Sequence, residues 1–369
     1  MLGILFLASA LVAYAATKLS IVLSLKSGML DLPNVRSSHS QPVPRMGGVG
    51  ILAGFFLSLG GLAVLEYLGV IQYEILTRDT RLFVIAGAGM AITGLCDDLY
   101  HLRPAMKFLM QFVLAGVVIA LGARIEVLQF PLAGSLRLGL FTFPLTLLWL
   151  TGFANIFNFM DGINGMAAGT GLVFSGLFFF VAWGEGHQDL AVLALLLAAS
   201  CLGFLFHNFP QARTFMGDTG SLFLGGAFAL FVVRLPQRSN VPGVLIALVL
   251  GVSLYLWDSG FTLLRRLRHG ENIFQAHRSH LYQRLVQAGL SHAKVTALYL
   301  FFHSLLGALA LAYLKNSELR RLCILALAAL VLAVFTSAVY RLERRQAGAK
   351  PAHNVGWPDS PSQERPEGK

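Results

Sequence analysis

The chain has 369 residues, of which 56% are hydrophobic and only 12% charged. A soluble domain carries about 25% charged residues, so an ordinary soluble enzyme is excluded. The formal net charge of +10 does not point to nucleic acid, because the basic residues sit between apolar runs, where membrane topology explains them.

Apolar runs of about 20 residues, the length of a membrane-crossing helix, recur along the chain. They predict an all-α, polytopic integral membrane protein. Eleven spans are read, at roughly 2–23, 47–71, 81–96, 107–124, 141–158, 165–183, 189–206, 221–234, 241–262, 293–314 and 321–340. No Lys or Arg precedes the first, so it lacks the positive start of a cleaved signal and reads as a retained helix. The eighth is short, with room to tilt or stop part way. Loops on the side of residues 24–46 hold 18 Lys and Arg against 9 on the other side. Positive loops stay in the cytoplasm, which puts the N-terminus in the periplasm and the C-terminus inside. Residues 1–345 read as one transmembrane catalytic domain, and the polar, Pro- and Gly-rich 346–369 as a disordered cytoplasmic tail. Segment 125–140 suggests a short hairpin around Gly134. Cys96, Cys201 and Cys323 are far apart and form no CxxC pair, so they imply neither a disulfide framework nor a metal site.

Five polar clusters fall at loops that charge counting alone assigns to one side. The first holds Arg36, His39 and Arg45 ahead of Gly47-Gly48; these cations suit phosphates, or are only a positive-inside loop. The second is Asp97-Asp98, then Arg103 and Lys107. Two adjacent carboxylates at the hydrocarbon edge repel each other, a cost that a divalent cation removes. Arg103 and Lys107, four apart, share a helix face. The third is Asn155, Asn158, Asp161 and Asn164, with Gly162 and Gly165 for a tight turn; the amides suit a base or ribose, or simply end a helix. The fourth is Asn208 and then Phe215-Met-Gly-Asp218, where Asp218 is a helix cap or a third carboxylate for a metal. The fifth follows Asp258: Arg265, Arg266 and Arg268 fit lipid attraction, whereas His277, Arg278, His280 and Arg284 suit a pyrophosphate.

In this order DLPNVRSSHSQPVPRMGG, CDDLYHLRPAMKF, NIFNFMDGING, FMGDTGS and HRSHLYQRL resemble the polyprenyl-phosphate N-acetylhexosaminyl-1-phosphate transferases, over about residues 31–290. The resemblance implies transfer of a sugar 1-phosphate from a UDP-HexNAc to undecaprenyl phosphate, with release of UMP and with Mg²⁺ or Mn²⁺ as cofactor. It assigns Asp97, Asp98 and His280 to catalysis and Asp218, with Asp98, to the metal. Asn158, Asp161, Asn208 and Phe215 fall to the nucleoside and pyrophosphate pocket, which the amide of Asn155 also suits, and Lys107 to the lipid phosphate. Asp97 acts as a base or, in the competing scheme, as a nucleophile. Two departures bear on the donor. Asn164 stands where the family often has a second Asp, and Tyr282-Gln283 where it often has two histidines. The His-Arg-Ser-His-Leu-Tyr pattern resembles the O-antigen-initiating branch that uses FucNAc or QuiNAc donors.

Two rival readings remain. A membrane prenyltransferase predicts two Asp-rich helical motifs, and only one Asp-Asp pair is present. A secondary transporter predicts repeated halves, and no repeat is seen. The sequence leaves the oligomeric state open, a homodimer included.

Overall fold

The computed structural model describes residues 2–32, 41–72, 74–272 and 277–349. Arg36, His39 and residues 350–369 of the expected tail lie outside them. The fold is an all-α bundle, as the apolar runs predict. Its helices are α1 (Leu2–Ser27), α2 (Gly48–Tyr67), α3 (Arg78–Tyr100), α4 (Pro104–Ala120), α5 (Thr142–Phe159), α6 (Met166–Gly184) and α7 (Gln188–Asn208). There follow α8 (Gly217–Arg238), α9 (Val244–Gly251), α10 (Ser253–Arg268), α11 (Leu281–Gln287), α12 (His292–Leu314) and α13 (Glu318–Ala349). Strands β1 (Leu30–Asp31) and β2 (Val43–Pro44) pair beside α2, and β3 (Val127–Phe130) and β4 (Gly134–Arg137) form the hairpin expected at Gly134.

Each expected span is helical, but they are not equivalent. Among the described residues nine helices are long and apolar enough to cross a membrane, ten if α9 and α10 count as one span bent by 67°. The eleventh reading is α4, whose 17 residues span only about 25 Å against a hydrocarbon core of about 30 Å. The bend at Val252 was not expected, because an unbroken apolar run carries no sign of it. The expectation for the eighth span needs correction. Helix α8 runs 22 residues and is almost wholly buried, the centre of the bundle rather than a stub. Its polar ends hid its length. Asp218, Thr219 and Ser221 open it and Arg234 and Arg238 close it, all met by groups on neighbouring helices.

In lipid, apolar burial gives helices little reason to associate, so close packing across small residues must do so. Gly94 on α3 lies where an added Cβ would meet the Asp218 carbonyl oxygen at 2.2 Å, and one on Gly48 would meet that of Met216 at 2.4 Å. Further along α8, a Cβ on Gly225 would reach the Ala154 backbone of α5 at 2.9 Å. Helices α2, α3 and α5 therefore lie backbone to backbone on α8. At the end where α3 begins, Asp79 is fully buried and accepts from Arg234 Nε (2.6 Å) and from Arg238, which also reaches Asp189 at 3.3 Å. This polar lock fixes α3, α7 and α8 at the end remote from the clusters.

Candidate active site

Helix α3 delivers the aspartate pair and stops at once. His101 takes a left-handed conformation (φ 49°) and its N–H donates to the Asp97 carbonyl, closing the helix. Pro104 then starts α4, for which its missing N–H is no loss. This tight return brings Lys107 back beside α3.

The two aspartates have different work. Asp98 is buried. Its Oδ1 accepts from the Asp218 N–H (3.0 Å) and its Oδ2 from the Thr219 N–H (2.9 Å) and hydroxyl (2.7 Å). It thus caps the first turn of α8 from another helix, where amides lack intrahelical partners and the dipole favours an anion. Arg45 adds a contact at 3.1 Å to Oδ1. Asp97 is partly open. Its Oδ1 accepts from the Leu102 N–H (2.9 Å) and its Oδ2 from Lys107 Nζ (3.0 Å). The same ammonium contacts Asp218 Oδ2, so two carboxylates converge on one cation. Asn158 donates to Asp218 Oδ1 (3.0 Å) and to Ser221 Oγ (2.7 Å).

Asp161, half-buried in the α5–α6 turn, has no paired cation among the described residues. Burial, then the Asp218 and Asp98 carboxylates, push its pKa well above the usual carboxylate range. The first cluster joins through the backbone. Gly47 and Gly48 N–H groups donate to the Phe215 and Met216 carbonyls at 2.9 Å. The fifth cluster joins through Tyr282, whose hydroxyl donates to the Phe159 carbonyl (3.1 Å) and presses on Gly162. Five motifs distant in sequence therefore meet at one end of the bundle.

Not every expected residue is free for substrate. Asn155 pairs with Gln111 of α4 and donates to the Thr151 carbonyl (2.8 Å), one turn below the acids. Asn208 accepts from the Gly165 N–H (2.7 Å) and donates to the Thr214 carbonyl (2.8 Å), tying two loops. Arg284 is buried against Glu343 (2.7 Å from Nε) and lies 4.1 Å over the Tyr340 ring. These contacts tie neighbouring loops and helices together around the site. Both oxygens of Asp98 accept hydrogen bonds, as do both oxygens of Asp97. Phe215 is half-buried and Arg103 exposed at the start of α4. The His277 and His280 rings lie 5.1 Å apart between centroids, tilted by 31°, with Arg278 half-buried between them in sequence. Sequence reading named Asp258 without giving it a role; its signal was an acid inside an apolar span.

Comparison with known proteins accords with this geometry. Residues 80–236 match the family model described as glycosyl transferase family 4. A probable undecaprenyl-phosphate N-acetylglucosaminyl 1-phosphate transferase of Bacillus subtilis is 31% identical, over 85% of this chain and 85% of its own. A decaprenyl-phosphate N-acetylglucosaminephosphotransferase of Mycobacterium leprae is 33% identical over 80% of each. An undecaprenyl-phosphate alpha-N-acetylglucosaminyl 1-phosphate transferase of Escherichia coli is 24% identical, over 77% of this chain and 76% of its own. A helical membrane bundle with acids gathered at one end defines a membrane-embedded sugar-phosphate transferase. The chain belongs to the polyprenyl-phosphate HexNAc-1-phosphate transferases, multi-pass enzymes of the bacterial inner membrane.

Proposed function

We propose that the protein transfers a HexNAc 1-phosphate from a UDP-sugar to undecaprenyl phosphate, releases UMP, and so starts an O-antigen or related envelope polysaccharide. The observation that carries this reading is the convergence of Asp97, Lys107, Asn158 and Asp218 from four helices. The relatives' names supply the substrates by analogy, and the 18-to-9 Lys and Arg bias supports a cytoplasmic position for this end, where UDP-sugars are made.

The chemical problem is attack by one phosphate on another anion. Positioning and charge neutralisation carry such a transfer. The donor set suits Mg²⁺ or Mn²⁺. Asp97 and Asp218 offer hard oxygens, and among the described residues no three acids or histidines cage an ion by themselves. That is the habit of magnesium, which keeps waters and takes ligands from substrate phosphates. Bound there, the ion supplies charge stabilisation to the departing UMP. Lys107 and Arg103, one turn apart, hold the lipid phosphate; His277, Arg278 and His280 hold the donor pyrophosphate; Phe215 stacks on the base. The lipid phosphate oxygen bonds to the β-phosphorus while the bond to UMP breaks. Asp97 accepts any residual proton, a modest task because a phosphate second pKa near 6 leaves the acceptor mostly ionised.

The donor sugar is read as a 6-deoxy-HexNAc, FucNAc or QuiNAc. Tyr282 fills the space over Gly162 where relatives often carry histidine, and Asn164 donates to the Pro210 carbonyl (3.1 Å) where an acid is common. The relatives' names favour UDP-GlcNAc as the second reading. A panel of UDP-HexNAc donors, assayed for UMP with undecaprenyl phosphate, separates the two. Preference for the 6-deoxy donors supports the first; preference for UDP-GlcNAc overturns it.

A further inference from the structure

Asp258 lies on α10, one and a half turns after the bend, and is fully buried. Its carboxylate is the densest acceptor of the fifth motif. Oδ1 accepts from the Leu281 N–H (2.8 Å) and contacts His280 Nδ1 (3.1 Å). Oδ2 accepts from the Tyr299 hydroxyl (2.6 Å) and the Tyr282 N–H (3.3 Å). The two amides are the first of α11, orphan donors at a helix start, so Asp258 caps α11 from α10. Gln283 completes that cap by accepting from the His280 N–H at 3.2 Å.

These bonds have two effects on one histidine. An ionised Asp258 carboxylate accepts, so this contact favours a proton on His280 Nδ1, and in the neutral ring Nε2 is then the acceptor. Among the described residues the polar contact seen for the ring is the one at Nδ1. The cap also fixes the backbone of Leu281 and Tyr282, and Tyr282 docks on the loop that carries Asp161. Histidines that act on a substrate or metal are commonly oriented by such a partner.

We propose that Asp258 is the positioning residue of the His280 arm, one buried carboxylate that sets the imidazole tautomer and seats α11 against the Asp161–Gly162 turn. The proposal rests on the transfer reading above. It differs from a purely structural pin, which would hold α11 without regard to the tautomer.

The test combines ¹⁵N-histidine solid-state NMR in lipid with turnover. The wild-type protein should show His280 protonated on Nδ1. Asp258→Asn keeps an oxygen for one amide but presents an N–H₂, so the ring should switch to the Nε2–H form. In that variant kcat should fall roughly 10–100-fold, with KM for the lipid acceptor little changed. Tyr299→Phe removes a bond of 2.6 Å to the same carboxylate and leaves the histidine pair alone. It should lower the melting temperature yet keep kcat within roughly twofold, because the His280 and Leu281 contacts are to the other oxygen, Oδ1, and survive. An Nε2–H tautomer in the wild type overturns the proposal. So does full turnover in Asp258→Asn, or an equal loss in Tyr299→Phe. Should Asp258→Asn fail to fold, the wild-type tautomer and Tyr299→Phe decide. If the wild type releases no UMP from any UDP-HexNAc, the transfer reading fails separately, and the tautomer still decides whether Asp258 sets the ring.

Discussion

Asp97 and Asp98 are neighbours of identical chemistry, yet the bundle gives them different tasks. The pair was legible in the sequence as a costly feature at a hydrocarbon edge. The division of labour was not, because it depends on which oxygen faces the start of α8, and no local pattern encodes that. The same holds for Asn155 and Asn158. Their spacing places them on one helix face, but Gln111 takes the first and Asp218 the second. Asp161 sits beside the Asp218 and Asp98 carboxylates. Its pKa is raised, so as pH climbs past the unfolded value of about 4 the unfolded chain gives up a proton that the folded chain retains. Stability is thereby lost as pH rises toward the folded pKa. Asp161→Asn removes that loss. In metal-free buffer its melting temperature should exceed the wild type's by more at pH 8 than at pH 5, and added Mg²⁺ should narrow the gap. A constant difference across pH would show that the carboxyl charge is not the cause.

At the level of elements, hydropathy located the helices because lipid leaves the backbone few alternatives. It failed where polar groups are satisfied inside the protein. Helix α8 looked short because both its ends are polar, and α11 was read as loop because its seven residues follow a basic cluster. The glycines along α8 carry the packing. Gly94 is the sharpest case, since a Cβ there meets backbone atoms rather than a yielding side chain. Gly94→Ala should force α3 away from Asp218, cost roughly 1–3 kcal/mol and lower kcat, because Asp98 rides on the same turn. Thermal melting in detergent together with UMP release checks both effects. An alanine variant with unchanged melting and turnover would mean the helices are not held this tightly.

For the whole molecule, the convergence of the clusters was legible from charge asymmetry and cluster order before any geometry. The lock at the far end was not, since Asp79, Asp189, Arg234 and Arg238 come from three helices distant in sequence and only the packing brings them together. It ties three helices where no substrate is expected. Removing one partner strands buried charge, so Asp79→Ala should cost about 3–5 kcal/mol. Its signature should be a lowered melting temperature with KM for both substrates unchanged. A raised KM at normal stability would instead link that end to the substrates.

The central claim is that acids from separate helices, with Lys107 between them, create one place where a divalent ion can quiet two repelling phosphates. The most direct measurement is UMP release by wild type and Asp218→Asn, titrated with Mg²⁺ in the presence and absence of undecaprenyl phosphate. The account predicts UMP only when metal and lipid phosphate are both present, and a loss of at least about 100-fold in Asp218→Asn that extra Mg²⁺ does not restore. Wild-type turnover at full rate without metal, or full activity in Asp218→Asn, would contradict it.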